Sequence, residues 1–168
     1  AYIAYDKFIK DFPDSNRIMQ VKILAADAKE KGGAIIEAVN ANMDLYQNAP
    51  DTETRRRALL KAAELYSSVG QYDSAIETYE EYLKNFKTDT DRIKSLLGSL
   101  YIDRGHKDDA YAMFADVPNP VLIDALTKSE LFTLAEIFQD KGNIDKAMDL
   151  FDYLTKENSP ETIQAWIN

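Results

Sequence analysis

Apolar and polar residues alternate with the period of an α-helix over residues 59–82. Two stripes of apolar or small residues are separated by Gly70, and each has the spacing that places its members on one side of a helix. Gly70 lies where a helix end favours a positive φ, and Asp73 follows at a position suited to cap a second helix. This stretch therefore predicts two antiparallel helices, which Ala63 and Ala75 allow to approach closely.

The same layout recurs along the chain. Its turn glycines are Gly33, Gly70, Gly105 and Gly142, at intervals of 37, 35 and 37 residues, and an alanine follows five residues after each one. In the last three units an aromatic residue lies four residues before the glycine and another lies nine residues after it. A single helical hairpin leaves an apolar side uncovered. The common register therefore predicts a stack of hairpins that cover one another.

This combination of a small residue, aromatic residues, glycine and alanine at fixed offsets resembles the tetratricopeptide repeat (TPR) family. The resemblance implies an all-α fold, a right-handed α-solenoid of about four full hairpins with half-repeats at both ends. Residues 1–168 then form a single array, in which residues 1–13 are the second helix of a truncated repeat and residues 159–168 are the start of a further helix. The full repeats are expected at residues 17–50, 51–87, 88–118 and 119–158.

Two of these repeats contain positions that need a separate explanation. In residues 17–50, Lys29 and Asn42 stand where the family places aromatic residues. In residues 88–118, Gly98 occupies the close-contact position of the first helix, where a side chain would push the hairpin apart. Because glycine is a poor helix former, we expect tight packing to be the reason for its presence.

The strongest break in the chain is Pro118-Asn119-Pro120, and it leaves two interpretations open. Asn119 caps one unusually long helix that runs to Phe138, with Pro120 at its first position. Alternatively, a short extra turn ends near Thr127, and Ser129 caps a helix of ordinary length.

Composition excludes several classes of function. The chain has 168 residues, of which 45% are hydrophobic, and 29 acidic residues against 20 Lys and Arg give a formal charge of −9. An acidic protein repels nucleic-acid phosphates, so no nucleic-acid partner is expected. The absence of cysteine excludes disulfides and thiolate ligands. The sequence contains no run of about 18 apolar residues of the kind that inserts into a membrane, so no direct membrane insertion is expected.

Candidate catalytic groups are sparse. His106 is the single histidine, and it lies next to a turn glycine with no cysteine or second histidine to share a metal. No glycine-rich phosphate-binding loop ends in Gly-Lys-Ser/Thr. The carboxylates are spread over predicted helix surfaces. We therefore predict a protein that is not an enzyme and has no cofactor and no metal site.

Stacked TPR hairpins line a concave groove with their first helices, so the resemblance implies a scaffold that binds a segment of a partner protein there. Leu60 and Phe132 are apolar among mostly polar groove positions; they are suited to anchoring apolar side chains of a peptide, or to partial burial against a neighbouring helix. The groove positions transferred by register are Arg57, Leu60, Glu64, Arg92, Ser95, Ser99, Phe132, Glu136 and Gln139.

The alternative function is a structural spacer or assembly module that joins end to end rather than recognising a peptide. The first segment lacks a preceding first helix, and the last lacks a following second helix. A neighbouring copy could supply both in a head-to-tail contact. The self-association residues predicted in this way are Tyr2, Tyr5, Ile9, Ile163 and Trp166.

Two short segments bear on the cellular setting. FIKDFPDS (residues 8–15) and YEEYLKNFK (residues 79–87) look like TPR proteins of bacterial cell envelopes. The resemblance implies a fragment of a larger bacterial protein and favours the periplasm over the cytoplasm.

Overall fold

The computed structural model describes residues 2–157, and this part of the chain is all-α. Each helix begins and ends close to the turn signals of the sequence. The helices are α1 (Tyr2–Asp11), α2 (Ile18–Lys31), α3 (Ile35–Asn48), α4 (Thr52–Ser68), α5 (Tyr72–Asn85), α6 (Thr90–Asp103), α7 (Lys107–Phe114), α8 (Asn119–Ala125), α9 (Lys128–Asp140) and α10 (Ile144–Glu157). The predicted all-α fold class is confirmed.

The chain forms two compact units, of which unit 1 ends at Phe86 and unit 2 begins at Lys87. In unit 1, each of the helices α1–α5 packs against the next one along the chain. Small side chains dominate its core, which allows the helices to pack closely. The core residues are Ala25, Ala26, Ala38, Val39, Leu45, Ala49, Ala58, Leu59, Ala62, Ala63, Leu65, Ala75, Tyr79 and Tyr82.

Unit 2 contains two hairpins, α6 with α7 and α9 with α10. The short helix α8 packs against both α6 and α10, so it joins the two hairpins. Larger side chains fill this core than fill that of unit 1. They include Ile93, Leu97, Tyr101, Phe114, Val117, Leu122, Leu131, Leu134, Ile137, Phe138 and Leu150.

The predicted turn glycines all lie between the helices of a hairpin. Gly33, Gly70, Gly105 and Gly142 have φ values of +77°, +75°, +73° and +77°. A side chain would be strained at such angles, which explains why glycine recurs there. The alanines that follow by five residues are at most 3% exposed. Both features of the repeat pattern are therefore confirmed.

Gly98 lies at a close approach between α6 and α7. A Cβ atom added to it would stand 2.3 Å from Cζ of Phe114 and within 2.8 Å of two further atoms of the same ring. Phe114 is fully buried, so the ring has little room to move away. The packing reason expected for this glycine is confirmed.

At Pro118–Pro120 the structure agrees with the second interpretation, a short extra turn followed by a helix of ordinary length. Helix α8 is a separate short helix, and α9 begins at Lys128. Thr127, rather than Ser129, is the cap of α9, because its side chain accepts a hydrogen bond from the backbone N–H of Glu130. The cap predicted at Ser129 therefore lies two residues after the observed cap.

A second predicted cap is also wrong. Helix α5 begins at Tyr72, so Gln71 occupies the cap position and Asp73 lies inside the first turn. An acidic residue there still favours the helix through the positive end of the helix dipole. The sequence pattern gave the helix correctly but placed its start two residues late.

Candidate functional site

The predicted groove residues of unit 1 lie along one side of α4. Arg57 is exposed, whereas Leu60 and Glu64 are half-buried. Their spacing of three and four residues places them on one stripe of the helix. The side opposite to this stripe carries the buried residues Ala58 and Ala62.

Helix α2 lies beside this stripe, and a lysine joins the two helices. Nζ of Lys61 lies 2.9 Å from Oε1 of Glu30 on α2 and 3.9 Å from Oε2 of Glu64 on α4. The hydrogen bond to Glu30 raises the pKa of Lys61, against the opposing effect of its partial burial. We call the set Glu30, Arg57, Leu60, Lys61 and Glu64 the α2–α4 surface. It is a charged surface of both signs around one half-buried leucine.

Lys61 was not among the residues predicted from the sequence. The signal was present, because Lys61 follows Arg57 by four residues and precedes Glu64 by three. Its contact with Glu30 depends on the packing of α2 against the same stripe, which spacing within α4 does not reveal.

The arginine run at the start of α4 divides into different roles. Arg56 donates two hydrogen bonds of 2.8 Å to the carboxylate of Glu53 and one of 2.9 Å to the hydroxyl of Tyr82. These hydrogen bonds raise the pKa of Arg56 above its ordinary value, and those to Glu53 have the larger effect. Arg56 therefore ties α4 to α5, and Arg57 is the exposed member of the run.

In unit 2, the predicted groove residues divide between α6 and α9. Arg92, Glu136 and Gln139 are exposed, and Ser99 is half-buried. The hydroxyl of Ser99 donates to the carboxylate of Glu130, which brings α6 and α9 into contact. Burial raises the pKa of Glu130, but hydrogen bonds from Ser99 and Thr127 outweigh it and hold this pKa below its ordinary value.

Ser95 does not belong to an accessible surface. Its side chain is 1% exposed, and its hydroxyl donates a 2.9 Å hydrogen bond to the carbonyl oxygen of Asp91 in the same helix. A serine that satisfies its hydroxyl within its own helix can be buried at low cost. The prediction that Ser95 contacts a partner is therefore corrected.

Phe132 is half exposed but lies at the edge of α9 that faces α10. Its ring makes an edge-to-face contact with Phe151, with 5.8 Å between the ring centroids. Ile144 and Met148 are exposed on the same helix as Phe151. We call Phe132, Ile144, Met148 and Phe151 the α9–α10 apolar face. Phe132 thus belongs to an apolar surface shared with a second helix.

The predicted self-association residues Tyr2, Tyr5 and Ile9 are half-buried on α1. This helix has no fully buried residue, and Ile3 and Phe12 are 73% and 58% exposed. Ile163 and Trp166 lie outside the described residues.

A cleft of about 220 Å³ lies between α1, α2 and α3. Ile9 lines it together with two ion pairs, Lys29 with Asp6 at 2.6 Å and Lys22 with Asp44 at 2.8 Å. Lys29, which replaces an expected aromatic residue, therefore links α2 to α1. Asn42, the other departure from the repeat pattern, is buried and donates to the carbonyl oxygen of Ala38.

No cluster of metal-ligating side chains occurs among residues 2–157. His106 stands at the cap position of α7 and stacks on Tyr101, with 6.1 Å between the ring centroids. None of the helices in the described range is long and apolar enough to cross a membrane.

Comparison with known proteins identifies the repeat in two places. Residues 57–89 and residues 130–158 each match a family model of the tetratricopeptide repeat. No curated protein matches the chain in sequence.

Solved structures share the fold. A tetratricopeptide repeat protein from Parabacteroides merdae superposes with a TM-score of 0.63 at 18% identity, over 94% of this chain and 59% of that one. The protein MamA gives 0.61 at 14% identity, over 94% of this chain and 86% of that one. A Podosopora anserina protein with nearly identical TPR-like repeats gives 0.58 at 15% identity, over 92% and 84%. At these identities the likeness concerns the fold, and the chain spans 59% of the length of the Parabacteroides protein.

Proposed function

Because the chain is a tetratricopeptide repeat protein, we propose that it is a non-enzymatic scaffold that binds a segment of a partner protein on its first helices. Tetratricopeptide repeats form protein–protein interaction modules. The specific proposal is that the α2–α4 surface of unit 1 carries the contact.

The contact between Lys61 and Glu30 is the observation that supports this choice. It places α2 and α4 side by side, with Arg57 exposed and Leu60 half-buried next to it. An apolar side chain of an extended or helical segment packs on Leu60, and a carboxylate of the same segment pairs with Arg57. Glu64 and Lys61 offer an acceptor and a donor to its polar groups. The tightly packed alanine core beneath holds these groups in place before binding, which lowers the cost of ordering them.

Unit 2 offers a second surface of the same kind. Arg92, Glu136 and Gln139 are exposed on its first helices, and Ser99 is anchored by Glu130. We propose that these residues form a separate contact with a partner segment on unit 2.

The test uses a charge reversal at the exposed arginine. Peptides are selected from a random display library on the immobilised chain, and their affinities for Arg57→Glu are then measured. We expect binding to weaken about tenfold or more, because an attractive charge pair becomes repulsive. Lys84→Glu is the matched control, since Lys84 is an exposed basic residue on α5. Helicity by circular dichroism verifies that both variants are folded. Equal affinity of Arg57→Glu and the wild type would refute the proposed surface.

A second candidate function is end-to-end assembly, and the exposure of α1 favours it. Ile3 exposes a large apolar side chain on α1, a helix that has no fully buried residue, and Phe12 exposes another directly after this helix. Such a surface suits a heterologous contact with another copy. Sedimentation at increasing concentration distinguishes the two functions, because assembly predicts a growing mass and a steady monomer contradicts it.

We also propose a bacterial periplasmic setting for the protein. The support is the likeness of residues 8–15 and 79–87 to cell-envelope TPR proteins. Cell fractionation with an antibody against the chain tests it, and recovery in the cytoplasmic fraction would contradict it.

A further inference from the structure

The hairpin of α2 and α3 differs from the later hairpins at positions that line the cleft between α1, α2 and α3. Four residues before its turn glycine it carries Lys29, where the last two hairpins carry Tyr101 and Phe138, which are 7% and 0% exposed. Eight residues after that glycine it carries Ala41, where the last hairpin carries the fully buried Leu150. A polar and a small side chain therefore stand here in place of two large core side chains.

The cleft has an apolar middle. Ile9, Ala25 and Ala41 line it with carbon atoms, and Ala25 is 1% exposed. Its volume of about 220 Å³ is below the roughly 300–1,000 Å³ of sites for drug-sized ligands. The cleft therefore suits a smaller molecule with an apolar part.

Ion pairs lie on either side of this apolar middle. Lys29 pairs with Asp6 on α1, and Lys22 pairs with Asp44 on α3. The two lysines are seven residues apart on α2, which separates their backbone positions by about 10 Å. The side chains of Lys22 and Asp44 are 28% and 45% exposed, so a small solute reaches both charges. Two lysines and two aspartates give the lining no net formal charge.

The ion pair of Lys22 with Asp44 has a counterpart in unit 2. Lys94 and Asp116 lie at the equivalent positions of the hairpin of α6 and α7, with 2.6 Å between Nζ and Oδ2. In that hairpin Tyr101 supplies the aromatic ring of the repeat. The hairpin of α2 and α3 keeps the ion pair but lacks the ring, so a ligand that brings a ring complements it.

We propose that the cleft between α1, α2 and α3 binds a small zwitterion with an aromatic ring, the chemical class of the free aromatic amino acids. The ring packs on Ala25 and Ala41 beside the ammonium group of Lys29, which is attracted to the face of a ring. The ligand carboxylate pairs with Lys22 and its ammonium group with Asp44. A zwitterion matches both members of this ion pair, whereas a singly charged ligand meets a like charge without compensation.

Titration of the isotope-labelled full chain with phenylalanine, followed by NMR, tests the proposal. The expected result is a saturable shift of the amide resonances of Ile9, Ala25 and Ala41, which gives a dissociation constant. Phenethylamine and hydrocinnamate keep the ring but carry one charge each. We expect both to bind about tenfold or more weakly than phenylalanine.

Two variants give this hairpin side chains that other hairpins have. Lys29→Tyr restores the ring of the repeat, and Ala41→Leu fills the cleft without changing a charge. Each should weaken phenylalanine binding about tenfold or more. Helicity by circular dichroism verifies that both variants are folded. Lys31→Tyr is the matched control, because it makes the same substitution at an exposed position of the same helix, and it should leave the affinity unchanged.

Three results would overturn the proposal. Amide resonances that do not shift with phenylalanine would refute the site. Equal affinity of the wild type, Lys29→Tyr and Ala41→Leu would place the binding outside the cleft. Equal affinity for phenylalanine and either singly charged compound would refute the recognition of a zwitterion. The proposal does not rest on the scaffold function, because the α2–α4 surface consists of other residues and is tested with peptides.

Discussion

Gly98 shows how a single hydrogen atom in place of a side chain governs a helix contact. The absent Cβ leaves room for the ring of Phe114, which is fully buried against α6. We expect Gly98→Ala to destabilise the protein by about 1–3 kcal/mol through overpacking, although alanine is the better helix former. Urea denaturation measures the change in the free energy of unfolding.

A second variant separates overpacking from a general effect of the substitution. Phe114→Leu shortens the side chain that the new methyl group would meet. The double variant should therefore lose less free energy of unfolding than the two single variants lose together, with a coupling energy on the order of 1 kcal/mol. An increase in stability for Gly98→Ala alone would show that the packing at this position is loose.

Helix α9 depends on a reciprocal cap at its first turn. The side chain of Thr127 accepts from the backbone N–H of Glu130 at 3.3 Å, and the Glu130 carboxylate accepts from the backbone N–H of Thr127 at 2.7 Å. We expect Thr127→Ala to lower the free energy of unfolding by about 0.5–2 kcal/mol, because backbone donors lose their partners. Thermal or urea denaturation measures the loss.

Ser129 is the matched control for this helix start. It is exposed, is the second residue of α9, and does not act as the cap of this helix. Ser129→Ala should change stability by less than about 0.5 kcal/mol. A larger loss at Ser129 than at Thr127 would place the helix start where the sequence alone had suggested it.

At the scale of the whole molecule, stability responds to pH through carboxylates held in their charged form. The hydrogen bond from Thr54 lowers the pKa of Asp51. The hydrogen bond from Lys141 lowers the pKa of Asp108. The hydrogen bond from Lys94 likewise lowers the pKa of Asp116. Because these pKa values are lower in the folded chain than in the unfolded one, the stabilisation is full above the unfolded values of about 4.

The melting temperature should therefore stay nearly level from pH 7 to about 5 and fall below about pH 4, as the unfolded chain takes up protons first. Each exposed pair contributes little, so Asp108→Asn should reduce the acid sensitivity only slightly. Melting followed by circular dichroism across this pH range tests the expectation. A marked loss of stability between pH 7 and 5 would contradict it.

Much of the helical layout could be predicted because it is encoded locally. The spacing of apolar residues determined where helices form, and the turn glycines at positive φ determined where the hairpins bend. Buried alanine after each turn and the missing side chain at Gly98 follow from the same repeat. These features need only the residues within one hairpin.

Tertiary structure decided which of those residues remain accessible and what they contact. Ser95 is buried, although the repeat register predicts an accessible position for it as for Ser99. Thr127 caps α9 in place of Ser129. Lys61 forms an ion pair with Glu30 on another helix. Helical periodicity places a residue on a side of its own helix. It does not specify how far that helix is rotated toward its neighbours, and packing alone sets that rotation.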